Sequence, residues 1–141
     1  MQPAHILLVE DNDGDIMLTL DGFEECKVKT EISVVKNGKE ALDFLFKRGA
    51  FNDAQSPDLI LLDINLPVFN GHEVLRQIKS DVELKKIPVI MLTTSSNPKD
   101  INDAYENYCN SYVTKPLEIM EFLRAILKIE EFWLQLTTLA N

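Results

Sequence analysis

The sequence predicts a three-layer α/β domain in which a five-stranded parallel sheet carries helices on both faces. Short apolar runs alternate with segments of helical periodicity along the chain, which is typical of parallel strands joined by right-handed helical crossovers. Most of these runs are continuously apolar, as expected for strands covered on both faces. No internal repeat, low-complexity segment or linker interrupts the pattern, so we expect one domain over residues 1–141.

The first unit begins with the apolar run His5–Val9, which Glu10 and Asp11 follow directly. Asn12 or Asp13 can then cap a helix. Apolar residues recur behind this cap at helical spacing, and they are Ile16, Met17, Leu20 and Phe23. The unit is therefore predicted as a strand, an acidic turn and an amphipathic helix.

The second unit begins with Thr30–Val35, which alternates and is rich in β-branched residues. This pattern predicts a strand that is more exposed than the first. Asn37-Gly38 predicts the turn after it, and a helix follows from Lys39 and fades near position 49. The polar stretch that continues to Pro57 is predicted as a loop.

The third unit contains the most apolar run, Leu59–Leu62, which ends in Asp63. Pro67 should close this strand or the loop beyond it. Asp63 would then lie at the carboxyl end of a buried strand, where open α/β sheets place their ligands. An isolated aspartate more often only caps a turn, so the other strand ends must decide. A loop containing Gly71 leads to the next helix, whose apolar residues are Val74, Leu75 and Ile78.

The last two units follow the same order. Ile87–Leu92 predicts a strand that ends in Thr93, and Pro98 fits the first turn of a helix that runs to about residue 107. Ser111–Thr114 predicts a short final strand, which Lys115 follows. A long apolar-rich helix from about residue 117 closes the chain.

Chemically active residues follow most of the predicted strands at the edge where parallel strands end: Glu10, Asp11, Asp63, Thr93 and Lys115. Carboxylates that are brought together repel one another, and burial penalises each charge further. Such a cluster indicates a hard cation such as Mg²⁺, which takes carboxylate, carbonyl and phosphate oxygens. A carboxylate beside this cation can attack a phosphoryl group, with a lysine and a hydroxyl at hand to bind its oxygens.

Composition disfavours several classes of partner. The formal net charge of -9 argues against DNA, RNA and anionic membrane surfaces, which require clustered Lys and Arg. No apolar run approaches membrane-spanning length, and the N-terminal residues lack the pattern of a signal peptide. Cys26 and Cys109 show no spacing typical of a metal site, so we expect reduced thiols in a cytoplasmic protein.

The ordered set of motifs resembles the receiver domain of two-component response regulators. The motifs are Glu10-Asp11, Asp63, Asn65-Leu66-Pro67, Gly71, Thr93 and Lys115-Pro116, and the resemblance covers about residues 6–127. It implies a flavodoxin-like, doubly wound sheet with the strand order 2-1-3-4-5. It also implies a phosphorylation-dependent switch that signals through altered protein contacts. Such a switch is no enzyme beyond its own phosphorylation and dephosphorylation.

The resemblance implies a role for each matching acid. Asp63 would accept the phosphoryl group from the phosphohistidine of a sensor histidine kinase. Asp11 would bind Mg²⁺, or Mn²⁺ in its place, directly, and Glu10 would act mostly through water. The backbone carbonyl of Asn65 would supply the third protein ligand.

The resemblance further implies a switch at the other strand ends. Thr93 would move toward the phosphoryl group, and Tyr112 would rotate inward behind it. Lys115 would bind the phosphoryl oxygens, and the peptide bond before Pro116 would be cis. Thr94 stands where relatives often have a smaller residue, which affects the access of water and hence the lifetime of the acyl phosphate.

The end of the chain departs from a minimal receiver domain. The long loop before Pro57, Leu92–Ser95 and the ending Phe132-Trp133-Leu134 are similar to phytochrome-associated single-domain regulators, which implies a bacteriophytochrome as the kinase. The chain ends soon after the fifth unit, so we expect no output domain. Residues 128–141 are predicted as a helical extension whose excess apolar residues form an exposed patch. This patch predicts a homodimer, and the alternative is a tail that folds back onto its own domain.

Other interpretations of the same residues remain. An aspartate-nucleophile phosphatase needs a second acid two residues past the nucleophile, where this chain has Asn65. A receiver-like adaptor that binds partners without phosphorylation need not keep the complete set of acids, hydroxyl and lysine. A calcium loop starting at Asp11 fails because Ile16 and Gly22 occupy its glycine and glutamate positions. Asp15 is then predicted as a first-turn helix acid.

Overall fold

The computed structural model describes residues 2–140 and places a five-stranded sheet at the centre of the chain. The strands are β1 (Ala4–Val9), β2 (Thr30–Val35), β3 (Leu59–Leu62), β4 (Val89–Thr93) and β5 (Ser111–Thr114). Their order is β2-β1-β3-β4-β5, and every neighbouring pair is parallel. The predicted fold class and strand order are confirmed. Met1 and Asn141, the ends of the predicted domain, lie outside the described residues.

The helices follow the strands in alternation. They are α1 (Asp13–Glu24), α2 (Gly38–Leu45), α3 (Gly71–Ser80), α4 (Pro98–Glu106) and α5 (Ile119–Glu130). Short 3₁₀ turns occupy Gly49–Phe51 and Leu84–Lys86, and a π-helical segment occupies Glu131–Leu136.

Asparagine side chains determine where four of these helices begin. Asn12, Asn37, Asn70 and Asn97 each accept a hydrogen bond from a backbone N–H in the first turn of α1, α2, α3 and α4. Such a cap satisfies a donor that has no partner inside the helix. The Asn37-Gly38 pair predicted as a turn is therefore the start of α2, one residue earlier than expected.

Two hydrophobic cores lie on opposite faces of the sheet because successive side chains of a strand point in opposite directions. In β1, Leu7 and Val9 pack with α2 and α3, whereas Ile6 and Leu8 pack with α1 and α5. β3 is buried on both faces, and β2 is more exposed than β1, as predicted. Within residues 2–140, no helix combines the length and the apolar character needed to cross a bilayer.

The prediction of which residues form the buried face of α1 is partly wrong. Met17 is 65% exposed and Leu20 is 37% exposed, while the buried positions are Ile16, Thr19, Gly22 and Phe23. A Cβ at Gly22 would lie 2.8 Å from the Ile126 side chain. The close approach of α5 at this glycine turns the face with Thr19 and Gly22 inward and leaves Met17 and Leu20 in solvent.

The predicted cis bond before Pro116 is also wrong. Within residues 2–140 every peptide bond is trans, the form that is favoured by about 0.5–1 kcal/mol before proline. The Lys115 N–H donates to the Thr93 carbonyl at 2.6 Å, which continues the strand pairing up to Lys115. The lysine is therefore held in place while the peptide bond between Lys115 and Pro116 is trans.

The segment after α5 stays close to the domain. Trp133 and Leu134 pack against the core between α1, α5 and the sheet, while Phe132 is 50% exposed and Leu136 is 74% exposed. Ala140 lies beside Pro57 and Pro88, at the opposite edge of the sheet from the acidic residues. Part of the predicted apolar patch is therefore covered by the chain itself, and part of it faces solvent.

Candidate metal centre at the carboxyl edge of the sheet

The backbone of two neighbouring strands brings the predicted acids together. Val9 at the end of β1 pairs with Leu62 at the end of β3, and the Asp63 N–H donates to the Val9 carbonyl at 3.1 Å. Glu10 and Asp11 therefore leave the sheet beside Asp63. One carboxylate oxygen from each of these three acids lies within 4.8 Å of the others.

These three acids fit a hard divalent cation. Glu10 and Asp63 are buried, with 2% and 8% of their surface exposed, and Asp11 is exposed. Buried carboxylates at this separation disfavour one another's charge, and all the donors are oxygens, the ligands that Mg²⁺ and Mn²⁺ prefer. The cluster could hold such an ion.

Lys115 is the cationic member of the site. Its buried Nζ donates to Asp63 Oδ2 at 3.2 Å and to Asp15 Oδ2 at 2.9 Å, and it contacts a Glu10 carboxylate oxygen more closely still. An ammonium has three N–H donors, so these three carboxylates use all of them. Burial alone would lower the pKa of Lys115, but the hydrogen bonds with Glu10 and Asp15 and the charge of Asp63 outweigh it and raise the pKa.

The carboxyl group of Glu10 is strongly affected by its burial and by the neighbouring charges. Burial raises the pKa of its carboxyl group, the hydrogen bond from Lys115 lowers it in part, and the charge of Asp63 raises it again. The net direction is upward, because one lysine shared among three acids does not offset the loss of water. This residual cost is what a divalent cation would relieve.

The loop after β3 fixes the position of Asp63. The Ile64 N–H donates to Asp63 Oδ1 at 2.7 Å, and the Gly71 N–H donates to the Ile64 carbonyl at 2.7 Å. A Cβ at Gly71 would lie 2.0 Å from the Asp63 carbonyl oxygen, so α3 can begin this close only with glycine. Asn65 lies in the same loop and is exposed.

Thr93 and Tyr112 are linked through the loop after β4. Thr93 is fully buried, and its Oγ1 accepts a long hydrogen bond of 3.4 Å from the Ser95 N–H. The Tyr112 hydroxyl donates to the Ser95 carbonyl at 2.8 Å. The Ser95 hydroxyl in turn donates to Asp100 Oδ2 at 2.6 Å. Hydrogen bonds from Ser95 and His72 lower the pKa of Asp100.

Sequence reasoning missed two of these participants. Asp15 was predicted only as a first-turn acid, although the first turn of α1 directly follows Glu10 and Asp11 and so lies at the same edge of the sheet. Ser95 was noted only within the stretch Leu92–Ser95, and no role was assigned to it. The signal for Ser95 is its position two residues beyond Thr93, where a loop that leaves a buried strand must turn toward the following helix.

Three comparisons agree on the family. The model of the response regulator receiver domain matches residues 6–127. The response regulator Rcp1 of Synechocystis sp. is 39% identical over 137 residues, which are 97% of this chain and 93% of Rcp1. The crystal structure of the phosphorylated cyanobacterial phytochrome response regulator RcpA superposes with a TM-score of 0.96 at 43% identity, covering 99% of this chain and 100% of RcpA.

A second structure bears on the metal. The Mn²⁺-bound form of Rcp1 has a TM-score of 0.95 to this chain at 39% identity, with 99% of this chain and 100% of Rcp1 covered. Receiver domains bind Mg²⁺ and act as signalling switches, not as classical enzymes. Together with the fold and the acidic cluster beside Lys115, these matches show that the chain belongs to the response regulator receiver domain family.

Proposed function

We propose that this receiver domain, a phosphorylation-dependent switch of two-component signalling, takes its phosphoryl group on Asp63 from the phosphohistidine of a sensor histidine kinase. The observation that carries the proposal is the position of Asp63. Glu10 and Asp63 both contact Lys115 Nζ, but Asp63 is the acid of this cluster that directly follows the central strand β3. Its carboxylate therefore has a cation site on one side and an ammonium on the other.

The proposed reaction is a single displacement at phosphorus. An Asp63 oxygen attacks the phosphorus atom, the phosphorus–nitrogen bond of the phosphohistidine breaks, and its electron pair leaves with the imidazole nitrogen. Lys115 donates hydrogen bonds to the transferred oxygens, and the buried pocket limits the access of water. Mg²⁺, when bound, neutralises the negative charge that these oxygens bring to the cluster. Water later cleaves the acyl phosphate, and these are the only reactions that we assign to the chain.

Glu10 and Asp11 are proposed as further ligands of the cation, Glu10 mostly through water, and the Asn65 carbonyl as the third protein ligand. Thr93 and Tyr112 are proposed as the switch. Thr93 ends β4, and its Oγ1 accepts the N–H of Ser95, whose carbonyl in turn accepts the Tyr112 hydroxyl. Movement of Thr93 toward a phosphoryl group would therefore pull on the loop at Ser95 and release the half-buried Tyr112 from its hydrogen bond there.

The test is uptake of phosphoryl from acetyl phosphate and Mg²⁺, followed by intact mass. We expect the wild type to gain one phosphoryl group, Asp63→Asn to gain none, and Asp11→Asn to be strongly slowed because it loses a cation ligand. Asp53→Asn, an exposed acid in the loop before β3, is the matched control and should behave as the wild type. Absence of uptake by the wild type would favour a receiver-like adaptor that works without phosphorylation.

The kinase partner is proposed to be a bacteriophytochrome. RcpA is described as a phytochrome response regulator, and its structure covers 99% of this chain at 43% identity. A cytoplasmic location is proposed because Cys26 and Cys109 are both free thiols. The net charge of -9 supports protein partners instead of nucleic acid or anionic membrane.

We propose that the chain is one receiver domain with residues 128–141 as an extension that forms a homodimer. Phe132 stacks edge-on with Trp133 at 5.1 Å, and both line a largely apolar groove beside edge strand β5 together with Val113 and Ile129. In sedimentation velocity, Phe132→Glu should dissociate the dimer. Val82→Glu, which alters another exposed apolar residue, should not. A monomeric wild type at high concentration would reject the dimer.

A further inference from the structure

Lys115 divides its three hydrogen bonds between two kinds of acid. Glu10 and Asp63 belong to the cluster whose oxygens lie close enough together to share a cation. Asp15 does not belong to that cluster, yet it accepts from the same Nζ at 2.9 Å. The ammonium therefore bridges the cation site and one carboxylate outside it.

The ammonium and a divalent cation require the same oxygens. While Lys115 donates to Glu10 and Asp63, it already neutralises part of the charge that would attract a cation. Binding of a cation must therefore weaken these two contacts. The Lys115 side chain is only 3% exposed. A buried ammonium that gave up these contacts with no other acceptor would be left with unsatisfied donors, which is costly.

We propose that Asp15 is a positioning residue for this site, which gives the Lys115 ammonium an acceptor outside the cation cluster and so frees the oxygens of Asp63 and Glu10 for a divalent cation, Glu10 mostly through water. This inference deepens the proposed function and rests on it, because the same ammonium then remains beside Asp63. Asp15 acts through Lys115 and is not itself a ligand of the cation.

The start of α1 holds Asp15 in place for this role. The Asn12 side chain accepts the Asp15 N–H at 2.9 Å, and the Thr19 hydroxyl donates to the Asp15 carbonyl at 2.7 Å. The side chain is 27% exposed, so it also faces solvent. Asp13, two residues earlier, is 83% exposed and pairs with Lys36 at 2.7 Å instead.

The dissociation constant of Mg²⁺, or of Mn²⁺ as the tighter probe, tests the proposal by calorimetric titration without any phosphoryl donor. Asp15→Asn replaces the charged acceptor of Lys115 with a neutral, weaker one. We expect this change to raise the dissociation constant about three- to tenfold, a moderate effect because Asp15 is partly exposed. Asp13→Asn removes the same charge from the same helical turn and should change the dissociation constant less than about twofold. Equal effects of the two variants would overturn the proposal.

A double-mutant cycle separates the action through Lys115 from a direct effect of charge. In a Lys115→Met background, Asp15→Asn should no longer change the dissociation constant, because the ammonium that Asp15 holds is gone. An undiminished effect in this background would show a direct electrostatic attraction and contradict the positioning role. If Lys115→Met does not fold, the comparison of Asp15→Asn with Asp13→Asn decides alone.

The two hypotheses can fail separately. Failure of the wild type to take up phosphoryl would reject Asp63 as the acceptor, while the effect of Asp15→Asn on cation binding would still stand. Normal uptake together with an unchanged dissociation constant in Asp15→Asn would reject only the role of Asp15.

Discussion

Carboxylates are buried in two regions of the molecule, and the hydrogen-bond donors around them differ between the two regions. At the end of α5, Glu130 has no exposed surface. One of its oxygens accepts the Val28 N–H at 2.9 Å, and the other accepts the Gln135 side-chain amide at 2.8 Å. Each oxygen has a fixed, neutral donor, so this acid joins the loop after α1 to the C-terminal segment.

At the carboxyl edge of the sheet, buried acids are instead crowded against one another. Glu10 and Asp63 lie beside Asp11 and share Lys115 with Asp15. A buried acid with its own donors acts as a structural anchor, whereas acids that share one lysine are left with repulsion that a divalent cation can relieve. Burial alone therefore does not distinguish an anchor from a site, but the donors around each acid do.

The largest effect on stability is expected at the anchor. Glu130→Ala removes the acceptor of the Val28 N–H and of the Gln135 amide, so we expect the free energy of unfolding to fall by about 2 kcal/mol. Urea denaturation measures this change. The affinity for Mg²⁺ should stay at the wild-type value. A loss of cation binding with little change in stability would contradict the assignment of Glu130 as a structural anchor.

A smaller effect of opposite sign is expected at the site. Without divalent cations, Asp63→Asn removes a charge that repels Glu10 and keeps an oxygen for the Ile64 N–H. It gives up the long, 3.2 Å hydrogen bond from Lys115, and we expect the relief of repulsion to exceed this loss. We expect the free energy of unfolding to rise by up to about 1 kcal/mol. Added Mg²⁺ should stabilise the wild type, through binding to the folded state, more than the variant. A destabilised Asp63→Asn would show that the acids are not under mutual repulsion.

The sequence predicted the sheet and the residues at its edge because both depend on local patterns. A continuously apolar run such as Leu59–Leu62 is buried on both faces in any parallel sheet, and the residue that follows it must leave at the carboxyl end. The parallel topology alone is therefore sufficient to predict that Asp63, Glu10 and Lys115 lie close together.

What the sequence did not predict depends on contacts between distant segments. The rotation of α1 follows from the approach of Ile126 to Gly22, which periodicity within α1 does not reveal. The burial of Glu130 depends on Val28, 102 positions away. Asp15 was assigned to its own helix because helix-dipole reasoning considers only neighbours in sequence, whereas its partner Lys115 is 100 positions away.

We propose that the acidic edge of the sheet is a cation-dependent phosphoryl pocket with Asp63 as the acceptor. The most direct measurement is to incubate the protein with acetyl phosphate and Mg²⁺, reduce any acyl phosphate with borohydride, and locate the resulting homoserine by tandem mass spectrometry. We expect homoserine at position 63, and none when the cation is chelated. Modification of another aspartate, or equal modification at position 63 without a cation, would contradict it.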